Sequence, residues 1–110
     1  MAPNSQGGVG KKIVIHVDQD LEDLIPGFIK NRRKDARSMD EALKRGDYET
    51  IRILGHGMKG TGGGYGFDAI TDMGKSIEQA AKSKNSKEIQ NYIKDLLTYL
   101  DQVEIVFDSE

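Results

Sequence analysis

The 110-residue chain contains no cysteine and no tryptophan, and it has only two prolines and two histidines. Without cysteine it can form neither a disulfide nor a zinc–cysteine site, and two histidines far apart in the sequence do not favour a metal site of another kind. No apolar run approaches the ~20 residues that span a membrane, and the first ten residues lack the features of a signal peptide. We therefore expect a cytoplasmic protein with no metal site and no membrane partner.

The chain also lacks a clear excess of either charge, since its formal net charge is only -2. Nucleic-acid-binding proteins usually carry a clear basic excess, so no nucleic-acid partner is expected. The one basic run, residues 30–34, is typical of a solvated helix face. The length suits a single domain, which we place at residues 11–110 after a flexible segment at 1–10, and we expect a monomer.

Two short β-branched runs lie near the ends of the chain, at residues 11–18 and 103–107. Runs of this composition favour strands. Because an isolated strand is unstable in water, the two runs could pair with each other as a small two-stranded accessory. His16 alternates to the side opposite the apolar residues of its run, so it is expected to face solvent and is given no role.

In the rest of the chain, apolar residues recur with the spacing of amphipathic helices. The first apolar stripe comprises Leu21, Leu24, Ile25 and Phe28. Pro26 disfavours helical geometry at the residue before it, which predicts a short lead-in helix at 19–25 and a long helix to about residue 45. Gly46 and Asp47 look like a stop and an N-cap, so the next helix starts at about Tyr48. Two more helices begin at about residue 68 and after a polar break at 83–86. Four amphipathic helices with short connections predict an all-α, antiparallel up-and-down four-helix bundle.

The segment LGHGMKGTGGGYGFD, residues 54–68, contains seven of the thirteen glycines. Residues 55–60 spell G-x-G-x-x-G, but a dinucleotide-binding turn follows a strand, and the residues before this segment have a helical period. A Walker A loop needs Gly-Lys followed by Ser or Thr, which is absent. Nucleotide binding is therefore the least favoured hypothesis for this segment.

In a helix, each internal glycine costs roughly 0.5 to 1 kcal/mol relative to alanine, so a cluster of them needs a reason. A helical wheel places Gly55 and Gly62 toward the core, where they would let a neighbouring helix approach closely. The course of the chain through residues 62–64 stays open, because the helix could either continue or unwind there.

The same wheel places His56 almost opposite the apolar stripe, among Gly60 and Gly63, with Lys59 one turn later and an exposed Ile53 one turn earlier. An ordinary imidazole is largely neutral and nucleophilic near pH 7. It could accept a phosphoryl group, and a lysine ammonium beside it would offset part of the incoming charge.

These residues resemble a known pattern. His56-Gly57-Met58-Lys59-Gly60 is similar to the H-x-[LM]-K-G core of histidine phosphotransfer (HPt) domains, and the resemblance covers roughly residues 21–100. It continues in the glycine-containing turn at 65–70, in residues 77–81, which resemble an L-E-x-A-A helix ending, and in the helix junction at 42–48. The three successive glycines and the strand-like ends depart from that pattern.

The resemblance implies a phosphorelay carrier that is not an autonomous enzyme. His56 would take a phosphoryl group from a receiver aspartate or a histidine kinase and pass it to a response-regulator receiver domain, with Lys59 as charge partner. Gly60 would leave room for the receiver, and the wheel adds Ile53, Gly57 and Gly63 to the docking face. The chain would need no cofactor of its own, because Mg²⁺ is expected on the partner receiver. The alternative from a different class is a module that binds and sequesters a receiver without accepting phosphate.

Overall fold

The computed structural model describes residues 12–109, so the predicted flexible segment at 1–10 lies outside the described residues. The described chain forms four helices: α1 (Ile25–Lys44), α2 (Tyr48–Thr61), α3 (Asp68–Lys82) and α4 (Ser86–Gln102). Each helix packs against the next one in the chain, and α4 packs against α1. The predicted all-α four-helix bundle is therefore confirmed. Within the described part of the chain, no helix is both long and apolar enough to cross a membrane.

Two short strands, β1 (Ile13–Asp18) and β2 (Val103–Asp108), pair in parallel at the ends of the described chain. The register joins the first residue of β1 to the first residue of β2, which confirms that the strand-like runs pair within one chain. Val17 is buried against the bundle, whereas His16 faces outward, where its Nδ1 lies 3.0 Å from a carboxylate oxygen of Asp108. The sheet thus fastens the two ends of the bundle to each other.

The predicted short lead-in helix is present at Gln19–Leu24, and it is a 3-10 helix. Its tighter turn breaks the α-helical stripe, so Leu24, which the stripe placed inward, is 52% exposed. Asp18 caps this segment by accepting a hydrogen bond from the backbone N–H of Asp20. Pro26 lies in the first turn of α1, where its missing N–H costs nothing.

Helix boundaries elsewhere follow the local signals. Asp47 caps α2 by accepting a hydrogen bond from the Thr50 N–H at 3.1 Å, as predicted, and Asn85 caps α4 in the same way. The core is a single cluster of apolar side chains from all four helices, with an aromatic stack of Tyr65, Phe28 and Phe67. The stack fixes the α2–α3 connection against α1.

Helices α2 and α3 touch each other through their backbones. A Cβ atom added at Gly55 would lie 2.9 Å from the Gly74 carbonyl oxygen and 2.9 Å from the Glu78 backbone nitrogen. A Cβ atom at Gly74 would lie 2.5 Å from the Lys59 backbone nitrogen, and one at Gly62 would lie 2.6 Å from the Thr71 nitrogen. The packing role predicted for Gly55 and Gly62 is therefore confirmed.

The glycine-rich segment does not remain one helix. Helix α2 ends at Thr61, residues 63–65 form one 3-10 turn, and Gly66 adopts a φ of +90° that most side chains disfavour. Gly63 therefore lies outside the helix on which the wheel placed it. The unwinding answers what the sequence left open at residues 62–64.

The glycines of α2 make a paired stability prediction. Gly55→Ala should lower the free energy of unfolding by about 1–3 kcal/mol, because its methyl group would overlap backbone atoms of α3. Gly57→Ala should raise it by up to about 1 kcal/mol, because nothing lies within 4 Å of its added methyl and alanine favours helix. Urea unfolding followed by circular dichroism measures both changes, and equal changes in the two variants would contradict the close packing.

Candidate functional site

His56 lies in the middle of α2 with its side chain 65% exposed. The surface beside it carries no side chains at Gly57 and Gly60, since an added Cβ at either position meets nothing within 4 Å. Ile53, one turn earlier, is 56% exposed and is one of the few large apolar side chains on the surface. The imidazole therefore stands on an open patch with an apolar neighbour.

A carboxylate beneath the imidazole comes from the neighbouring helix. Glu78 of α3 has a side chain that is only 5% exposed, and its Oε2 lies 3.1 Å from Nδ1 of His56. The ammonium nitrogen of Lys59 lies 3.2 Å from Oε1 of the same carboxylate, and that of Lys82 lies 3.9 Å from Oε2. One buried acid is thus surrounded by an imidazole and two ammonium groups.

The charge state of Glu78 follows from this arrangement. Burial acts to raise the pKa of Glu78, but the hydrogen bonds and charges of Lys59 and His56 outweigh burial, and the pKa lies below its ordinary value. The ammonium of Lys59 contacts the other carboxylate oxygen, Oε1, and this ionic contact helps to hold the carboxylate charged.

The contact with Glu78 also decides which imidazole nitrogen can react. A charged carboxylate only accepts hydrogen bonds, so we assign the imidazole proton to Nδ1, which donates it to Oε2 of Glu78. The lone pair then lies on Nε2. An exposed imidazole oriented by a second group is a usual arrangement of an activated nucleophile.

Five of the six predicted site residues lie on α2, and the sixth follows the end of that helix. His56, Lys59, Ile53, Gly57 and Gly60 all belong to α2. Gly63 follows the end of that helix. Its backbone N–H donates to Oγ1 of Thr71, and an added Cβ would contact Thr71 and Asp68. The wheel placed Gly63 on α2, which ends before it, so that placement is corrected, while the exposed Gly63 stays a predicted docking residue.

Sequence reasoning missed Glu78 as a site residue and Gly74 as its packing support. A signal for both was present, because they fall on the buried side of α3 with four apolar residues, Ile70, Ile77, Ala80 and Ala81. A charged residue in an otherwise apolar stripe is unusual and needs a partner. The partner could not be named without the packing of α2 on α3.

The fold and the site together define a four-helix domain with a histidine exposed on α2. The family model of the Hpt domain matches residues 23–104, about three quarters of the chain, and the chain belongs to this family. No curated protein and no solved structure matches the chain. Membership indicates a phosphocarrier module of phosphorelays, which interacts with receiver domains or kinases. The match includes all four helices and leaves β1 and most of β2 outside it.

The lowered pKa of Glu78 predicts an acid-dependent contribution to stability. A depressed folded-state pKa stabilises the fold above the unfolded pKa of about 4.3, and the contribution disappears as the pH falls through the folded value. Wild type should therefore lose its stability advantage over Glu78→Gln between about pH 5 and pH 3. Thermal unfolding across this range measures the difference, and a difference that does not depend on pH would argue against a charged Glu78.

Proposed function

We propose that His56 is the phosphoacceptor of this Hpt domain. It takes a phosphoryl group from a receiver aspartate or a histidine kinase and passes it to a response-regulator receiver domain. The observation that carries the proposal is the exposed imidazole whose Nδ1 contacts the buried carboxylate of Glu78. The contact supports a fixed tautomer and ring orientation before any partner binds.

The transfer from an aspartyl phosphate is then a direct displacement. Nε2 of His56 attacks the phosphorus, the Nε2–P bond forms, and the P–O bond to the aspartate breaks, which returns the aspartate as a free carboxylate. The proton on Nδ1 stays in place, and the positive charge that develops on the ring is offset by Glu78. Transfer onward reverses these bonds with the acceptor aspartate as nucleophile.

Lys59 is the proposed charge partner of the arriving group. Its ammonium contacts Glu78 but is 39% exposed, and it follows the phosphoacceptor by one turn of α2. If the Lys59 ammonium moved from the Glu78 carboxylate to the phosphoryl oxygens, it would contact a more highly charged anion. In this proposal the partner supplies Mg²⁺ and most of the catalysis, and the chain acts as a carrier rather than an enzyme.

The proposed docking surface for the receiver is the patch formed by Ile53, Gly57 and Gly60. An exposed apolar side chain beside two glycines with open space above them favours the close approach of another protein. Gly63, which is exposed just beyond the end of α2, stays a predicted part of this surface. A module that only sequesters a receiver would use the same docking surface without accepting phosphate. Nucleotide binding has no geometric support, because residues 55–60 lie within α2.

Phosphoryl transfer is tested with labelled phosphate. A panel of phosphorylated receivers and kinases should label wild type in an acid-labile, base-stable form, and His56→Gln should take no label because the nucleophile is gone. His16→Gln is the matched control and should label like wild type, since His16 lies on the sheet. Equal labelling of the His56 variant would exclude this residue, and receiver binding without label across the panel would favour the sequestering module.

The open space at Gly60 predicts a specific binding defect. Gly60→Leu should weaken receiver binding by about tenfold or more, because the added side chain projects from the docking surface and its Cβ meets nothing within 4 Å in its own domain. Thermal unfolding of the same variant should change little. A loss of stability that parallels the loss of affinity would show that this glycine serves packing instead.

A further inference from the structure

Arg52 lies one helical turn before His56 on the same side of α2. Its guanidinium holds the carboxylate of Glu49 through two hydrogen bonds, one of them from Nε to Oε1 at 3.0 Å. The Arg52 side chain is 34% exposed and that of Glu49 is 67% exposed. An exposed pair of this kind is weak and is easily exchanged for a better partner.

The surroundings of Arg52 connect it to the phosphoacceptor. A cleft of about 370 Å³ between the start of α2 and the end of α3 is lined by Arg52, Glu49 and Lys82. Lys82 reaches the same oxygen of Glu78 that contacts the imidazole, and the charge of Glu78 acts on Arg52 as well. Arg52 therefore belongs to the same electrostatic cluster as His56.

Helix geometry puts Arg52 where a phosphoryl group would be added. Side chains on an α-helix lean toward its N-terminus, so the imidazole of His56 covers the turn that contains Arg52, and Lys59 approaches from the other side. A phosphoryl group carries up to two negative charges and three acceptor oxygens, whereas Glu49 offers one charge. A guanidinium binds such a group with two parallel hydrogen bonds, which a lysine ammonium does not do.

We propose that Arg52 is a phosphoryl-binding residue of this carrier, which leaves Glu49 and binds the phosphoryl group on His56. The inference rests on the proposed phosphoacceptor. Glu49 is then a latch that holds the guanidinium away from the imidazole before phosphorylation. Glu78 keeps its contact with Nδ1, so the phosphorylated ring is held between a carboxylate on one nitrogen and two cations around the phosphate.

The test uses chemical phosphorylation, so that no partner protein is needed. Phosphoramidate donates its phosphoryl group to Nε2 of His56: the P–N bond of the reagent breaks, ammonia leaves and the Nε2–P bond forms. Phosphorus NMR then follows the second ionisation of the bound phosphoryl group at low salt. Arg52→Gln should raise the pKa of that group by about half a pH unit, because a positive charge within ~6 Å of the dianion is lost.

Two further variants separate direct binding from a general change of charge. Glu49→Gln should lower the phosphoryl pKa in the wild-type background and should have a much smaller effect when combined with Arg52→Gln, since no guanidinium remains to be released. Arg37→Gln, which removes an exposed arginine on α1 with no ion pair among the described residues, should leave the phosphoryl pKa unchanged. In proton–nitrogen spectra, the Nε–H signal of Arg52 should shift on phosphorylation.

The outcomes distinguish the two proposals. If wild type is phosphorylated on His56, yet Arg52→Gln leaves the phosphoryl pKa unchanged and the Arg52 signal does not move, the role of Arg52 is overturned and the phosphoacceptor stands. If phosphoramidate gives no phosphohistidine at His56, both proposals are overturned. Equal shifts in the Arg52 and Arg37 variants would reduce the effect to net charge and would also contradict binding by Arg52.

Discussion

The site depends on the backbone contact between α2 and α3 at Gly55 and Gly74. His56 follows Gly55 directly, and Glu78 follows Gly74 by one helical turn, so the close contact brings the two side chains to 3.1 Å of each other. A side chain at either glycine would separate the helices. The imidazole would then lose the buried carboxylate that orients it.

Burying a carboxylate lowers stability unless the carboxylate is paired. Here the pairing groups are the same ones that the proposed phosphoryl transfer uses. Glu78 is balanced by the imidazole of His56 and the ammonium of Lys59, and none of the three is needed to fill the apolar core. The stability of the contacts around Glu78 therefore depends on whether the imidazole of His56 is phosphorylated. A phosphoryl group that draws Lys59 away would leave Glu78 with the charged ring as its main partner.

The parts of this structure that follow from local sequence were predictable. Apolar period set the four helices, Asp47 marked the start of α2, and the β-branched ends predicted strands that pair. The exposed position of His56 also follows from the helical period. Apart from the pairing of the two strands, each of these depends on residues within a few positions of one another, which is the range that sequence patterns describe well.

The features that could not be predicted depend on contacts between distant segments or on residues without side chains. Three successive glycines give no pattern from which to place the end of α2, so Gly63 was assigned to a helix that ends before it. Leu24 was placed inward because a 3-10 turn and an α-turn differ by less than one residue in period. Glu78 became part of the site only through its contact with another helix, 22 residues away along the chain.

The most direct test of the central claim is which imidazole nitrogen carries the phosphoryl group. Long-range proton–nitrogen NMR of the phosphorylated protein, labelled with nitrogen-15, distinguishes the two ring nitrogens by their couplings to the ring protons. The contact of Nδ1 with Glu78 predicts phosphorus on Nε2 of His56, with Nδ1 still protonated. Phosphorus on Nδ1, or on a different residue, would contradict the account.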